Sequence, residues 1–547
     1  MKKCLLILFL SISLFSFAQK EETDNRMTGN RNKPVRQEWL RDLGFGMFIH
    51  FNVDAQLGIT ISHSLVGASD DYVNRYYNEL SATFDPYKFD AYQIARFAKL
   101  VGMKYIVFTA KHHSGFCFWD TKTTDFKITS TPYKKDLLKE YVAGVRKAGL
   151  AVGFYYSPED FKFLHDNNIL IKRGDMQFDQ RTTLAYDDLV RKQTAELFSQ
   201  YGKIDVLFID GEPKEPCKEV AWKLQPDVVI TRGAINTPEQ TLPGAALNEF
   251  WESCVTMGTQ WNYKPTHDDI KTGGRLIELL VEARAKGGNF LLNVGPHPDG
   301  YIPYELETEL REVAAWNFIN HEVIENARPW IITNEENIWF TASKDKKTVY
   351  AVITGIPDWA KGARKEFVIG SIQTTAQTKI SVLGQNDKVT EYANQLDVAS
   401  RFEQKPDGLH ISIARAQRIY DNYKWPNPIT VKLENVEPVM DLPVVETRSS
   451  VIENGEVKIQ GRVVNKGNAS QLKAGFEYRP YAGFAENLYS KTWIQSELVE
   501  TDKEGNFYIV LPALENGKEY QYRAMVVHPR LKVKGDVKRF VVKQQKP

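Results

Sequence analysis

Residues 91–113, AYQIARFAKLVGMKYIVFTAKHH, contain the pattern that decides the fold of this chain. Apolar side chains recur at helical spacing in the first half, and Gly102 supplies the left-handed residue at which such helices end. The run KYIVFTA, residues 104–110, is almost continuously apolar, as expected for a strand buried on both faces. His112 and His113 follow that strand directly. The stretch predicts a helix–strand unit with polar side chains at the carboxyl end of its strand.

The same unit recurs along the first 330 residues. Further buried runs are FGMFIHF (45–51), AVGFYY (151–156), IDVLFID (204–210), DVVIT (227–231) and NFLLNV (289–294). Amphipathic stretches at 137–148, 186–198 and 276–285 precede three of them. This alternation predicts an α/β fold with parallel strands, and its length favours a TIM-like (β/α)8 barrel over 30–332. No GxGxxG motif follows the first strand, which argues against a dinucleotide-binding sheet.

The remaining chain has the alternating pattern of antiparallel strands. We expect a β-sandwich over 333–436 and, after a proline-containing linker, a second β-sandwich over 443–547. The latter has the length of an immunoglobulin-like or fibronectin-III-like domain, with Trp493 and Tyr522 as expected core aromatics. This last domain is expected to act as a spacer or packing unit, with glycan binding as the alternative.

Composition and charge are those of a globular protein. Of the 547 residues 42% are hydrophobic and 25% charged, and 70 Lys and Arg balance 69 Asp and Glu. The near-zero net charge argues against nucleic acid as a partner. Aromatic residues reach 12%, which suits either sugar binding or an aromatic core.

The amino terminus has the pattern of a signal peptide. Two lysines, a short apolar run and Ala18-Gln19 predict cleavage after residue 19 and a secreted or periplasmic bacterial protein. No later apolar run approaches the roughly 20 residues that a membrane-spanning helix needs. The three remaining cysteines, Cys117, Cys217 and Cys254, are expected to be free buried thiols. The sequence contains no signal for an oligomeric state.

Titratable and polar side chains gather at the ends of five predicted strands, where a TIM barrel places its catalytic groups. The strand-end residues are His50, His112-His113, Tyr155-Tyr156, Asp210 and Arg232. A carboxylate directly after a buried run is costly unless it is paired or functional, so Asp210 is either a catalytic carboxylate or a turn and helix cap. Its partner in glycoside hydrolysis would be a second acid among Glu212, Glu239, Glu249 and Glu252.

The adjacent histidines His112 and His113 could also be ligands of a metal ion. Adjacent residues of a strand point to opposite faces, and no HExxH or similar spacing supports zinc. Hydrogen bonding to sugar hydroxyls is therefore preferred for His112 and His113, with packing or capping as the alternative. We expect neither a metal nor a cofactor.

Taken together, the motifs FGMFIHF, YIVFTAKHHSGFCFWDTKTTDF, GFYYS, VLFIDG, WESC and KGGNFLLNVGPHPDGYIP, ending at ARPW, resemble those of glycoside hydrolase family 29, the α-L-fucosidases. The resemblance implies a retaining exo-glycosidase that releases terminal α-L-fucose from a fucosylated oligosaccharide or glycoconjugate without a cofactor.

The resemblance also implies roles for two carboxylates. The family nucleophile matches Asp210. The family acid/base stands in a T-x-E segment about a dozen residues before a W-E pair, which matches Glu239 ahead of Trp251. Glu252 is the second choice for that role, and otherwise a structural carboxylate near the pocket. The alternative for Glu239 is a solvated loop acid.

For sugar binding, the resemblance implies His50, His112, His113, Tyr155, Arg232 and Trp261. Core packing is the alternative for Trp261, and only one of Tyr155 and Tyr156 is expected to point inward.

The sequence departs from the family pattern at one edge of the expected pocket. The family has H-W-G where this chain has His50-Phe51-Asn52, and it has a Glu-Trp-Tyr type motif where this chain reads GASDDY at 67–72. A related retaining glycosidase of shifted specificity, for example for a galactoside, and a non-catalytic glycan-binding protein therefore stay as alternatives.

Overall fold

The structure is a computed structural model that describes most of the chain. The described residues are 29–173, 178–247, 249–356, 358–419, 427–453, 456–469, 472–481, 493–512, 514–528 and 530–542. The predicted signal peptide, residues 1–19, lies outside them.

Parallel strands of the first unit form one curled seven-stranded sheet in the order β5-β4-β3-β2-β1-β7-β6. The strands are β1 (Phe45–Ile49), β2 (Tyr105–Lys111), β3 (Ala151–Tyr156), β4 (Val206–Ile209), β5 (Val229–Ile230), β6 (Glu252–Thr256) and β7 (Asn289–Val294). Every one of them contributes to a buried interior cluster that includes Phe48, Val107, Phe208 and Leu291. The sheet therefore encloses a packed interior, as a TIM-like barrel does.

The barrel is irregular between β5 and β6. Residues 236–240 run parallel beside β6, where the amide of Glu252 donates to the carbonyl of Asn236 at 3.1 Å and that of Cys254 to the carbonyl of Pro238 at 3.1 Å. An extended segment thus takes the place of a regular strand, and it carries Glu239. The predicted TIM-like barrel is confirmed with this modification.

Helices cover the outside of the barrel. They are α1 (Pro34–Leu43), α2 (Asp70–Thr83), α3 (Ala91–Val101), α4 (Leu137–Ala148), α5 (Phe161–Asp166), α6 (Gln180–Gln200), α7 (Lys214–Leu224), α8 (Gly273–Ala285) and α9 (Tyr304–Ile324). Short 3-10 helices occupy Val53–Leu57, His63–Leu65 and Ile128–Ser130. Helix α3 is capped by the Asp90 side chain and ends at Gly102, whose φ of 98° requires glycine.

The second unit packs a five-stranded antiparallel sheet, in the order β12-β15-β10-β9-β8, against a three-stranded one, β11-β14-β13. Its strands are β8 (Arg328–Glu335), β9 (Ile338–Ala342), β10 (Thr348–Ile353), β11 (Arg364–Ile369), β12 (Ile372–Val382), β13 (Arg401–Lys405), β14 (Gly408–Ala414) and β15 (Ile429–Pro438). A continuous apolar core joins the two sheets around Trp359, Val431 and Ile411. The boundary predicted at residue 332 falls inside β8.

The third unit is also antiparallel. Its strands are β16 (Val444–Glu453), β17 (Glu456–Asn465), β18 (Lys473–Pro480), β19 (Ile494–Gln495), β20 (Asn506–Val510), β21 (Glu519–Val527), β22 (Lys532–Lys534) and β23 (Lys538–Val541). Tyr522 lies in its core, as predicted. The prediction for Trp493 is wrong, because this indole lies outside the core and contacts the guanidinium groups of Arg479 and Arg523, 4.4 and 4.3 Å from its ring centroid.

Two further predictions concern the whole chain. Cys117, Cys217 and Cys254 are free and buried, as predicted. Among the described residues, we find no helix with the length and apolar character required to cross a membrane.

Candidate active site

Asp210 lies at the mouth of the barrel, directly after β4. One carboxylate oxygen accepts a hydrogen bond from the Tyr155 hydroxyl at 2.9 Å, and the other accepts one from Arg232 at 3.1 Å. Its contacts are thus with neighbouring strands, whereas α7 begins after Pro213 without a side-chain cap. The turn-and-cap interpretation of Asp210 does not describe this geometry.

Ionisation of Asp210 is strongly favoured. Burial is the largest single effect and would raise the pKa of this carboxyl, but the charges of Arg232 and Arg173 and the hydrogen bond from Tyr155 together outweigh it, and the pKa lies well below its usual range. His113 Nε2 is 3.7 Å from the carboxylate. Asp210 is therefore a carboxylate at any pH near neutrality, which a nucleophile requires.

Arg232 connects two carboxylates. While one terminal nitrogen bonds Asp210, the other donates to Glu239 at 2.8 Å. A planar guanidinium holds its donors in a fixed fork, so Asp210 and Glu239 lie on either side of one rigid group. The Glu239 side chain is 43% exposed while that of Arg232 is 11% exposed, so Glu239 is the carboxylate that faces the open cleft.

A buried aromatic group surrounds this pair. The rings of His112 and Tyr155 are parallel, with centroids 5.3 Å apart, and His50 packs 5.1 Å from Tyr155. Trp261 lies 4.7 Å from His50 and lines the cleft. Burial lowers the pKa of His50 to about 4 and that of His112 well below its usual value, so both imidazoles are neutral hydrogen-bonding groups.

The histidine pair does not alternate between faces. Strand β2 ends at Lys111, so His112 and His113 follow in the loop, and their ring centroids are 4.3 Å apart. His113 Nδ1 is 2.6 Å from the Ser157 hydroxyl and 3.3 Å from a Glu159 oxygen. The alternation argument fails here because it applies only within a strand.

These side chains open into a cleft of about 2520 Å³. Its inner end is lined by His50, His112, Asp210, Arg232, Glu239 and Trp261. Within the described residues, no group of three or more His, Cys, Asp or Glu side chains is placed to hold a metal ion. Two carboxylates beside neutral imidazoles and an indole suit acid–base and nucleophilic chemistry on a sugar.

Comparison with known proteins identifies the family. The family profile described as Alpha-L-fucosidase matches residues 14–322. This chain belongs to the alpha-L-fucosidase family. It is accordingly a glycoside hydrolase. The plasma alpha-L-fucosidase of Rattus norvegicus is 27% identical over 382 residues, which span 64% of this chain and 78% of that protein. The alpha-L-fucosidase of Dictyostelium discoideum is 25% identical over 399 residues, covering 65% and 85%.

Solved structures of the alpha-L-fucosidase family share the fold. Alpha-L-fucosidase isoenzyme 1 from Paenibacillus thiaminolyticus superposes with a TM-score of 0.58 and 29% identity, covering 74% of this chain and 99% of that one. An alpha-L-fucosidase from Bacteroides thetaiotaomicron superposes with a TM-score of 0.59 and 21% identity, covering 76% and 99%. About a quarter of this fucosidase-family chain lies outside each of these two superpositions.

One predicted site residue lies elsewhere. Glu252 is the first residue of β6 and pairs in register with Asn289, the first residue of β7, so it lies at the amino ends of the strands, opposite the mouth. Its carboxylate accepts a hydrogen bond from the Tyr105 hydroxyl. Burial raises the pKa of Glu252 to about 7. The structure does not bring this residue to the fucosidase-family cleft, so it is a structural carboxylate away from the pocket.

Several polar residues that line the cleft were not predicted from the sequence, and three of them, His63, Glu159 and Arg173, interact electrostatically with Asp210. Arg173 donates to Glu159 at 3.1 Å, and burial raises the pKa of Glu159. Glu159 follows β3 by three residues, so the strand-end argument could have found it. His63 lies in a short 3-10 helix and Arg173 in an irregular segment, where no periodic pattern marks them.

His63 lines the cleft shortly before residues 67–72, the segment in which the sequence departs from the family motif. Its ring lies 5.5 Å from that of His113 and 6.1 Å from that of His112. Buried Asp54 holds this region together, because it accepts hydrogen bonds from the Ser62 amide at 2.7 Å and from Asn262, beside Trp261, at 2.8 Å. His63 and Trp261 therefore line this side of the cleft, on a framework that Asp54 holds together.

Proposed function

We propose that this chain is a retaining exo-α-L-fucosidase that acts on fucosylated glycans, with Asp210 as nucleophile and Glu239 as acid/base. The observation that carries the proposal is the Arg232 bridge, which sets an ionised, partly buried carboxylate and a more exposed one on opposite sides of a single guanidinium. Membership of the alpha-L-fucosidase family supports the choice of sugar.

In the first step a carboxylate oxygen of Asp210 attacks the anomeric carbon, and the bond to the leaving oxygen breaks. Glu239 gives its proton to that oxygen, so the leaving glycan departs as an alcohol. The product is a glycosyl ester of Asp210. Because the ester is neutral, the positive charge of Arg232 then acts on Glu239 alone.

In the second step Glu239 removes a proton from water, and the water oxygen attacks the anomeric carbon. The bond to Asp210 breaks and the carboxylate is restored beside Arg232 and Tyr155. Two inversions at the same carbon give net retention of configuration.

Side chains around Asp210 are proposed to bind the sugar. Burial lowers the pKa values of His50, His112 and His113, so these neutral imidazoles serve as hydrogen-bonding groups for hydroxyls. The Trp261 indole is proposed to face the apolar edge of the sugar, where its ring can contact a methyl group. We omit Glu252 from this set because it lies at the opposite end of the barrel.

The test compares the mature protein with Asp210→Ala and Glu239→Ala on aryl α-L-fucoside and aryl β-D-galactoside. We expect fucoside cleavage, loss of turnover in Asp210→Ala, and rescue of Glu239→Ala by azide with a fucosyl azide product. Preferred cleavage of the galactoside would establish the shifted specificity that the departure from the family motif at residues 67–72 allows. Binding without turnover of either glycoside would refute the enzymatic proposal in favour of a glycan-binding protein.

We further propose that the protein is exported to a bacterial periplasm or beyond the cell. Residues 1–19 support this through their lysine-rich start and apolar run. Amino-terminal sequencing of protein from the periplasm and the medium tests it. A chain that starts near Lys20 is expected, and retention of Met1 in a cytoplasmic fraction would contradict it.

A further inference from the structure

The cleft extends from the barrel mouth onto the third unit. Arg523 of β21 donates to the carbonyl of Gly244 at 3.2 Å, in the loop that follows Glu239. Gly244 also packs closely against Val537, because a Cβ built on this glycine would lie 2.2 Å from a Val537 methyl carbon. The third unit therefore contacts the acid/base loop and forms the outer wall of the same cleft.

Charge is distributed unevenly across the cleft. On the barrel side, Lys286 pairs with Glu282 at 2.6 Å and Arg275 with Glu278 at 3.0 Å. On the third unit, the described cations that line the cleft are Arg479, Arg523, Lys532, Lys534, Lys538 and Arg539, whereas its lining carboxylates are Glu519 and Asp536. We call these six cations the basic wall.

Carboxylates pair with several cations of the basic wall, and Arg539 lies 3.9 Å from Glu519. Glu477, behind it, pairs with Arg523 at 2.6 Å and reaches Lys534 at 3.5 Å. Glu336 of the second unit is 3.7 Å from Lys532. With these included, the described cations still outnumber the carboxylates around this part of the cleft.

The cations are also held close together. The guanidinium groups of Arg479 and Arg523 both lie over the Trp493 ring, 4.4 and 4.3 Å from its centroid, so one indole holds both in place. Besides burial, the charge of Arg523 contributes to lowering the pKa of Arg479. Burial and the charge of Arg523 lower the pKa of Lys534 to about 8. Like charges held this close repel one another, and an anion between them would relieve that repulsion. Guanidinium groups in a fixed position are well suited to the paired oxygens of a sulfate or carboxylate.

We propose that the basic wall binds a sulfate or carboxylate group on the glycan from which fucose is released. This inference rests on the proposed function, since it names the class of leaving group. The loop of residues 239–244 lies between the basic wall and Asp210. The anion therefore belongs to a sugar of the leaving glycan and not to the fucose that Asp210 would attack. The substrate class is therefore an acidic fucosylated oligosaccharide.

The test uses three fucosylated oligosaccharides with one common backbone: neutral, sulfated on a leaving-group sugar, and carrying a uronic acid carboxylate there. The variant is Lys532→Glu with Lys538→Glu, since both lysines are exposed and line the cleft. The matched control is Lys473→Glu with Lys503→Glu, exposed lysines of the same unit that are outside the cleft lining.

We expect the unmodified protein to prefer an acidic substrate in kcat/KM. Because exposed charge pairs contribute modestly, the cleft variant should lose about tenfold on that substrate, with little change on the neutral one or on aryl fucoside. The control variant should keep the preference, and added salt should reduce it. The sulfated and uronic arms identify which anion is bound. Equal losses in both variants, or no preference for either acidic substrate, would overturn the inference.

Binding separates this inference from the proposed function. Calorimetric titration with the acidic leaving-group oligosaccharide, without fucose, needs no turnover. Binding that the cleft variant loses supports the basic wall even if no fucoside is cleaved. Fucoside cleavage by a protein that does not bind this oligosaccharide refutes the basic wall and leaves the fucosidase proposal intact.

Discussion

Replacing Arg232 by methionine removes the group that joins the two proposed catalytic carboxylates. Methionine keeps an unbranched side chain of similar reach, so the variant tests the guanidinium more than the packing around Phe208, 5.0 Å away. The change leaves Asp210 with its Tyr155 contact but without its strongest stabilising charge.

The expected loss follows from the hydrogen bonds. A hydrogen bond to a charged group contributes about 1.5–3 kcal/mol when buried, and the bond to Glu239 counts for less because that side chain is 43% exposed. We therefore expect a loss of about 2.7 kcal/mol of transition-state stabilisation, or about 100-fold in kcat/KM. Loss of a single preorganised donor in other active sites costs a similar factor.

The pH dependence gives the sharper readout. Arg232 lowers the pKa of Asp210, so its removal lets burial raise that pKa. The nucleophile then becomes ionised only at higher pH, and the acidic limb of the kcat/KM profile moves upward. The assay is hydrolysis of aryl α-L-fucoside between pH 4 and 9, with Arg232→Lys as the control that keeps the charge but loses the fork.

Arg232→Lys should show a smaller upward shift of the acidic limb than Arg232→Met. Thermal unfolding of both variants checks that they are folded. A folded Arg232→Met protein with kcat/KM within about threefold of the parent and an unmoved acidic limb would refute the electrostatic argument.

Three further changes test other parts of the account. Glu252→Gln should leave kcat/KM within about threefold of the parent, since Glu252 lies away from the cleft. Because burial raises the pKa of Glu252 to about 7, the stability that this group contributes is present at low pH and is lost as pH rises through about 7. Chemical denaturation should therefore show that the free energy of unfolding depends less on pH in the variant. Asp54→Asn directs an amide towards donors that include Asn262, and should lower the free energy of unfolding by about 1–3 kcal/mol, measured by urea denaturation. In Gly244→Ala the added methyl group should push the acid/base loop away from Val537, so kcat should fall while the melting temperature changes little. An unchanged kcat would show that this contact does not position the loop.

The sequence predicted the barrel because its signals are local. Strands β3 and β7 and helix α4 have the predicted bounds. The two strands are nearly continuous apolar runs that follow a helix ending near a glycine, and α4 is a clear amphipathic pattern that ends at such a glycine. Strand β6 was not predicted, because its sequence, ESCVT, lacks the continuous apolar pattern of the other buried strands. One carboxylate oxygen of Glu252 accepts a hydrogen bond from Tyr105, and the Ser253 hydroxyl donates to the carbonyl of Thr241, contacts that only the tertiary structure provides.

The site was predicted to a similar extent. Strand ends placed His50, Tyr155, Asp210 and Arg232 together, because parallel strands bring their carboxyl ends to one edge. Residues held by irregular segments, such as His63 and Arg173, follow no period. The contact of Trp493 with Arg479 and Arg523 is equally non-local, since the two arginines lie in strands β18 and β21 and the indole precedes β19.

The most direct test of the central claim traps the covalent intermediate. The protein is incubated with a 2-fluoro-fucosyl fluoride, digested and mapped by tandem mass spectrometry. The account predicts a single fluorofucosyl adduct on Asp210, absent in Asp210→Asn. An adduct on Glu159 or Glu239, or turnover that inverts the anomeric configuration without any adduct, would contradict the assignment of Asp210 as nucleophile.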